Sequence, residues 1–405
     1  MRIDKSPATP DRSDLAVLAL GLGAFLTLFD VTAVVVAMPG LAKELGFAIE
    51  GAAWVIDAYS LAFTSALLMS GALADRFGRR RAMLAGNAIF LAASIACGAA
   101  PKGPLLLAAR VAQGAGAAFM TTGSIALIAG AFPDHRRRAR AFGFIGVISG
   151  VAMALGPTLG GLLAAWAGWR WIFYANIPFC LALAFSVPRL VAETTDSQGR
   201  PLDPLGIALL TLSLGLAIDA LLRRDATWAL RAACLVASVI IAIIFTLQQG
   251  RSSRPVLDPR VFATSTMAGI SLLLTAIQFG YWAALVYLPL FLNVGLAISI
   301  ETAGVMLLAA TLPMLLVPWM GGRFVTQWGW RRFFLVAFGA VALGDLLLLF
   351  ASVSNDAALR FAATLGNGAS AAEFAAPFAL AAFIALAATV VALVLLPAKD
   401  GQGGA

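Results

Sequence analysis

Long apolar runs alternate with short polar segments along almost the whole chain. A membrane-spanning helix needs about 20 apolar residues, within a range of about 17–25. By this rule the pattern predicts an all-α polytopic membrane protein. Its twelve predicted spans run roughly over residues 15–38, 52–73, 82–100, 104–131, 140–166, 171–190, 204–222, 229–249, 265–293, 302–321, 331–351 and 374–396.

The composition agrees with lipid as the solvent. Of 405 residues, 61% are hydrophobic and 12% are charged, whereas soluble domains are about 45–50% apolar and about 25% charged. The net charge of +8 does not indicate nucleic-acid binding, because the basic residues lie in short loops between spans. No cleavable signal peptide is expected, since the first apolar run is too long for a signal core and contains Asp30.

Basic residues concentrate in the N-terminal tail and in every second loop. These loops cover residues 76–81, 136–140, 189–200, 251–260 and 323–332, and residues 223–224 are the exception. Positive loops stay in the cytoplasm, so both termini are predicted to be cytoplasmic. Arginine far outnumbers lysine and alanine is abundant, which favours a GC-rich bacterial source. The expected location is therefore the bacterial cytoplasmic (inner) membrane.

Two charged residues inside predicted spans are candidates for proton coupling. A charge at the centre of a bilayer costs about 2.5–3.5 kcal/mol on insertion scales. Asp30 in the first span could bind and release a proton; the alternative is a helix contact or cap with Thr32 as partner. Arg110 in the fourth span cannot lose its proton, so it would act as a fixed charge. The alternative is that Arg110 snorkels to the interface.

Three further polar residues are candidates for lining a cavity. Gln113 follows Arg110 on the same helix. Asp57 is either a second cavity carboxylate or a solvated interfacial acid. Asp345 is either a cavity acid or a buried protonated one.

No enzyme chemistry, cofactor or metal site is predicted. The sequence contains no phosphate loop and no pairing of a nucleophile with histidine. The cysteines are far apart in apolar runs and predict neither a disulfide framework nor a metal site; they are Cys97, Cys180 and Cys234.

A short charged turn between the second and third spans carries the clearest motif. It reads Gly-Ala-Leu-Ala-Asp-Arg-Phe-Gly-Arg-Arg-Arg over residues 71–81, and residues 322–332 repeat its glycines and its last two arginines. The motif resembles the signature loop of the major facilitator superfamily of transporters. Repeated bundles are the expected build of a secondary transporter.

The resemblance implies that this loop is a gating latch, and the alternative is a basic loop that only fixes topology. Its two glycines are expected to permit tight turns. The candidate latch residues are Gly71, Asp75, Arg76, Gly78, Arg79 and Arg80.

Further motifs resemble the drug:proton antiporter family that has fourteen helices. They lie at residues 29–32 with Pro39, and at 54–59, 107–116, 146–161, 168–178 and 255–258. In that family the arginine matching Arg110 is tied to proton coupling. The small residues of the fifth span resemble its antiporter motif and imply a packing and bending surface, although ordinary close packing also fits. They are Gly150, Gly156, Pro157, Gly160 and Gly161.

The chain departs from that family in its second half. The family has six helices, two linking helices and six more, but only four spans are predicted after the linker. Residues 352–373 are too polar and too short for two spans, so no two-helix hairpin is expected between Leu349 and Phe374. The predicted organisation is a tail (1–14), a six-helix bundle (15–190), a linker with two extra spans (191–260), a shortened bundle (261–396) and a second tail (397–405).

The function implied by the resemblance is proton-coupled antiport that exports small amphiphilic or drug-like molecules. One alternative is an internally deleted descendant that no longer transports and serves as a scaffold or sensor. Another is a metabolite transporter of the same fold. The expected partners are a small-molecule substrate, protons and the lipid bilayer, and the sequence leaves the oligomeric state open.

Overall fold

The computed structural model describes residues 12–47, 49–195, 203–222, 227–252 and isolated positions between 264 and 346. These residues form nine α-helices. The helices are α1 (Arg12–Leu45), α2 (Ile49–Phe77), α3 (Arg79–Ala99), α4 (Gly103–Ala131), α5 (His135–Ala167), α6 (Arg170–Tyr174), α7 (Asn176–Leu190), α8 (Pro204–Leu222) and α9 (Trp228–Arg251).

The first eight predicted spans coincide with these helices, and α6 with α7 together form the sixth. Most helices extend beyond the apolar run, because a hydropathy rule marks only the part in hydrocarbon while the helical backbone continues into the headgroup region. The four later spans, the second copy of the signature loop, Asp345 and the segment predicted to lack a hairpin all lie outside the residues described continuously.

Six helical segments in the described part of the chain are long and apolar enough to cross a membrane. Helix α2 qualifies only as a bent pair, with a bend of 47° between Ala53–Leu67 and Met69–Phe77. In α8 the apolar part is Pro204–Ala220, which is at the lower limit of about 17 residues for a full span.

The backbone divides into two compact units, Met1–Leu257 and Asp258–Ala405. Within the first unit, α1 is the most enclosed span: 78% of its apolar window is buried, compared with 11% for α9. Helix α1 packs against α2, α4, α5, α6 and α7, while α9 packs on α8. A polar residue in the middle of α1 is therefore shielded by protein, whereas most of α9 faces outward.

Helices α3 and α4 approach each other at backbone distance. A Cβ atom on Gly116 would lie 2.7 Å from the carbonyl oxygen of Gly86 and 2.7 Å from the amide nitrogen of Phe90. Small residues allow this proximity in membrane helices. The close crossing brings polar residues on the inner faces of α3 and α4 to the same point in the bundle.

Candidate functional site

A polar cluster lies inside the first unit, with Asp30 of α1 at its centre. Four other side chains join Asp30, and all five are fully buried, with 0% exposure, although each is polar or charged. The four come from three further helices, because Ser94 lies on α3, Arg110 and Gln113 on α4, and Asn176 at the start of α7. Buried polar groups persist only when they are hydrogen-bonded, and this cluster meets that condition for the carboxylate.

The carboxylate of Asp30 accepts hydrogen bonds from three side chains. Arg110 Nη1 donates to Oδ2 at 2.5 Å, while Gln113 Nε2 donates to Oδ1 at 2.9 Å. Asn176 Nδ2 donates to the same Oδ1 at 2.8 Å. Both carboxylate oxygens therefore face hydrogen-bond donors.

Arg110 is held on several sides. Its Nε donates to the carbonyl oxygen of Val55 at 2.8 Å, and Nη1 also donates to Gln113 Oε1 at 2.7 Å. The guanidinium carbon lies 4.3 Å from the ring centroid of Tyr59, a distance at which a cation is attracted to the aromatic face. The remaining Nη2 is buried and has no hydrogen-bond partner among the described residues.

Glycine makes the contact between Arg110 and α2 possible. A Cβ atom on Gly114, four residues after Arg110, would lie 3.0 Å from the carbonyl carbon of Tyr59 and 3.1 Å from the amide nitrogen of Phe63. Because α4 lies directly on the backbone of α2, the guanidinium one turn earlier reaches the carbonyl of Val55. The arginine thus binds a backbone acceptor and a carboxylate at the same time.

The geometry decides between several of the alternatives left open above. Arg110 does not snorkel, because it is fully buried and paired with Asp30. Thr32 is not the partner of Asp30, since its hydroxyl donates to the carbonyl oxygens of Leu28 at 2.8 Å and Phe29 at 3.2 Å. Gln113 belongs to the cluster. Asp57 is half-buried on α2, and no hydrogen bond or ion pair links it to the cluster among the described residues.

Sequence reasoning did not assign Ser94, Asn176 or Tyr59 to a site with Asp30 and Arg110, although Tyr59 belongs to the motif over residues 54–59. Ser94 Oγ accepts from Gln113 Nε2 at 2.9 Å and from Asn176 Nδ2 at 3.4 Å, so it orients both amides. Uncharged polar residues are common in membrane helices and leave no mark on hydropathy. For Asn176 the available signal was the motif over residues 168–178, which contains it.

The candidate latch combines a tight turn at its end with a helical stretch at its start. Gly78 links α2 to α3 with φ of 113°, a conformation that favours glycine. Gly71, also expected in a turn, instead lies inside α2, because the helix continues through the polar end of the loop. Asp75 accepts from Arg79 Nη2 at 2.8 Å, and Arg76 is exposed.

Glu193, just after α7, joins the latch. Its Oε1 accepts from the amide nitrogen of Arg80 at 2.9 Å, and its Oε2 accepts from that of Arg81 at 3.1 Å. The amide of Arg79 donates to the carbonyl oxygen of Thr194 at 3.0 Å. A carboxylate at a helix N-terminus satisfies free amides and complements the helix dipole, so this residue fixes the start of α3.

The small residues of α5 lie against α1. A Cβ atom on Gly160 would be 2.7 Å from the Cα of Ala33, and Gly156 meets Thr32 in the same way. Pro157 lies inside the helix, and Gly150 and Gly161 are buried. Gly146, in contrast, has open space around it, so the close contact belongs to the later part of the motif.

Within the described residues, no group of three or more His, Cys, Asp or Glu side chains is arranged to hold a metal ion. The charged groups of the cluster form an ion pair, and the net charge of that pair depends on one carboxyl group. Asp30 and Arg110 together carry no net charge when Asp30 is ionised, and one positive charge when it is protonated.

Comparison with known proteins gives a consistent family. The family model described as Major Facilitator Superfamily, which is built from sequences, matches residues 20–396 of this chain. The multidrug resistance protein Stp of Mycobacterium tuberculosis is 31% identical over 85% of this chain and 64% of its own length. The methylenomycin A resistance protein of Bacillus subtilis is 32% identical over 87% of this chain and 76% of its own length. The alignment thus covers less than two thirds of the Stp protein.

Solved structures agree on the fold. A peptide transporter POT in complex with sulfate matches with a TM-score of 0.61 and 16% identity, over 94% of this chain and 93% of that one. A D-xylose–proton symporter matches with a TM-score of 0.56 and 15% identity, over 93% of this chain and 88% of that one. At such identities the likeness concerns the helical bundle alone.

Proposed function

Because the chain belongs to the major facilitator superfamily, a family of membrane transporters, we propose that it exports small amphiphilic or drug-like molecules in exchange for protons. The relatives named for multidrug and methylenomycin A resistance support this choice of cargo. So does the puromycin resistance protein pur8 of Streptomyces alboniger, which is 34% identical over 66% of this chain and 54% of its own length.

The observation that carries the proposal is the dry ion pair between Asp30 and Arg110, both with 0% exposure. Arg110 cannot release its proton, so only Asp30 can change the charge of the pair. A proton on Asp30 would leave the guanidinium without its counter-ion, and an unpaired buried charge costs several kcal/mol. Protonation therefore favours an arrangement of helices in which Arg110 reaches water or another acceptor.

The energy for export would come from the membrane. Moving one charge through 100 mV is worth about 2.3 kcal/mol, so one or two protons would drive a molecule outward against its gradient. Transport by rocking of two bundles about a central site is the expected mechanism for this architecture. In this scheme Asp30 takes up the proton and Arg110 converts its arrival into a structural change.

The orientation belongs to the same proposal. Glu193 and Thr194 contact the start of α3, so the signature loop and the segment after α7 share one end of the bundle. That end carries Arg76, Arg80 and Arg81, and by the positive-inside rule it faces the cytoplasm. Both termini would then be cytoplasmic.

The test is a flux assay with the full chain reconstituted in liposomes. An outward proton gradient, with the lumen acidic, should drive uptake of puromycin or of the dye ethidium into vesicles whose cytoplasmic face is outside, and adding either compound should release protons. Asp30→Asn should abolish both effects. Glu44→Gln, which removes an exposed acid from the same helix, should leave both unchanged. Equal proton release from wild type and Asp30→Asn would contradict the proposal.

A further inference from the structure

Asn176 is the third side chain that donates to Asp30, and it differs from Gln113 in what its amide oxygen contacts. Its Nδ2 donates to Asp30 Oδ1 at 2.8 Å and to Ser94 Oγ at 3.4 Å. Its Oδ1 is buried and finds no hydrogen-bond donor among the described residues. An unpaired acceptor costs free energy in a buried site, and here it lies on the same side chain that binds the candidate proton carrier.

We propose that Asn176 is a positioning residue that holds Asp30 in its charged form and inverts its amide when Asp30 becomes protonated. The proposal rests on the proton role of Asp30 suggested above. With the carboxylate ionised, Asn176 must turn Nδ2 towards it, because two acceptor oxygens repel each other. With the carboxyl protonated, its O–H is a donor, and the free Oδ1 is the acceptor that it needs.

Gln113 cannot respond in this way, although it also donates to Asp30. Its Oε1 accepts from Arg110 Nη1 at 2.7 Å and from Cys97 Sγ at 3.6 Å. Inverting this amide would place two donors against the guanidinium. Gln113 is thus locked by the arginine, and Asn176 is the amide of the cluster whose orientation is set by the charge on Asp30.

Few other groups around Asp30 could do what is proposed for Asn176. Arg110 on α4 is permanently charged. Tyr59 on α2, Cys97 on α3 and Cys180 on α7 lie within electrostatic reach of Asp30, and none donates a hydrogen bond to it among the described residues. Helix α5 faces this part of α1 through glycines. Asn176 is therefore the uncharged side chain best placed to bias proton uptake.

The chain offers a matched control in Asn87 on α3. Asn87 is also buried, its Nδ2 donates to the carbonyl oxygen of Cys180 at 3.0 Å, and its Oδ1 likewise lacks a partner among the described residues. It has no hydrogen bond to Asp30 in this part of the chain. Replacing Asn87 reproduces the packing change of an Asn176 variant without touching the carboxylate.

The experiment is an infrared titration of the full-length protein in lipid nanodiscs. The carboxylic C=O band of Asp30, assigned by its absence in Asp30→Asn, is followed against pH. Asn176→Leu removes the hydrogen bond to both forms of the carboxyl group. Because the bond to the charged form is the stronger one, the pH midpoint of proton uptake should rise by about one unit, which is a tenfold change in proton affinity. Asn176→Ser, which keeps a hydroxyl donor, should show a smaller rise, and Asn87→Leu should show none.

Each outcome decides the matter. An unchanged midpoint in Asn176→Leu, or an equal shift in Asn87→Leu, would overturn the proposal. If Asn176→Leu does not fold, the midpoint of Asn176→Ser decides in the same way. The titration needs no substrate, so it is independent of the flux assay. If the flux assay shows no exchange of substrate for protons, the proposed function is wrong. The role of Asn176 is then still decided by the pH midpoint alone.

Discussion

Helix α1 carries one ion pair in the middle of the bundle and another at its end. Asp30 and Arg110 are both fully buried. Glu44 and Arg170 expose 51% and 32% of their side chains. Glu44 also accepts from Trp169 Nε1 at 2.7 Å, and Arg170 donates to the carbonyl oxygen of Ala100 at 3.2 Å. Each pair consists of a carboxylate on α1 and an arginine on another helix, so the two pairs are chemically similar.

The two pairs differ in their exposure to water, and this changes how strongly each ion depends on its partner. Water competes for the exposed pair, and such pairs contribute about 0–1 kcal/mol. In the buried pair each ion depends on the other, because neither has water to replace its partner. The end pair can therefore hold α1 against the α5–α6 junction while water screens its charges. Neutralising one member of the middle pair would leave the other as an unpaired buried charge.

The largest expected effect comes from breaking the middle pair. Asp30→Ala and Arg110→Ala should each lower the free energy of unfolding by about 3–5 kcal/mol, measured by thermal unfolding of purified protein. Asp30→Ala should be the worse of the two. The guanidinium that it leaves behind keeps its charge, while a lone carboxyl group can take up a proton. The double variant should lose less than the sum of the singles.

The end pair supplies the control. Arg170→Ala should cost at most about 1 kcal/mol. A loss from Arg170→Ala as large as that from Arg110→Ala would mean that burial does not distinguish the two pairs.

The next effect concerns the backbone packing beside the middle pair. Gly160→Val would place a branched side chain against Ala33, one turn after Asp30, and overpacking of this kind costs about 1–3 kcal/mol. Gly146→Val is the matched change on the same helix, where a Cβ meets open space. Thermal unfolding should separate the two variants. Equal losses would show that helix propensity, and not contact with α1, explains the glycines.

Hydropathy and charge were sufficient to predict the eight spans that α1 to α9 form and the two ions of the middle pair, but not the break between α6 and α7. A charge in an apolar run is conspicuous, and only a few physical explanations are open to it. Gln113 was found because it follows Arg110 on the same helix. Ser94 and Asn176 were not singled out, since an uncharged polar residue in a span is ordinary. The carbonyl of Val55 has no sequence signal at all.

The partner of the latch was hidden for a different reason. Glu193 follows α7 in a segment that the span rule treats as linker, and its contacts with Arg80 and Arg81 cross more than a hundred residues of sequence. Only the fold brings them together. The same limit applies to Gly71. The motif predicted a turn at this residue, but it lies inside α2.

Glu193 is an intermediate case between the two pairs, with 23% of its side chain exposed. Glu193→Gln keeps the size of the side chain and removes the charge at the N-terminus of α3. The expected loss is about 0.3–1 kcal/mol, the range for a charge at a helix end, and it should shrink in high salt. Thermal unfolding in low and high salt is the measurement. A salt-independent loss would point to packing in place of charge.

The smallest expected effect concerns a carboxylate at the contact between helices α8 and α9. Burial alone would raise the pKa of Asp203 above its ordinary value of 3.8, but hydrogen bonds from the Gly206 amide and from Gln248 and Gln249 lower this pKa overall. A carboxylate whose pKa is lowered by folding stabilises the fold above the unfolded pKa and loses this contribution as pH falls through the folded pKa. The stability advantage of wild type over Asp203→Asn should therefore be constant from neutral pH down to about pH 5.

Below about pH 5 the advantage should decline, and it should disappear once the pH is below the folded pKa of Asp203, because both proteins then carry a neutral side chain at this position. The difference is expected to be about 0.3–1 kcal/mol, since the amide that replaces the carboxylate would still offer a side-chain oxygen to the backbone N–H of Gly206. Thermal unfolding of the two proteins between pH 7 and pH 3 measures it. An advantage that did not decrease at all between pH 5 and pH 3 would mean that the shape of the side chain, and not its charge, ties α8 to α9.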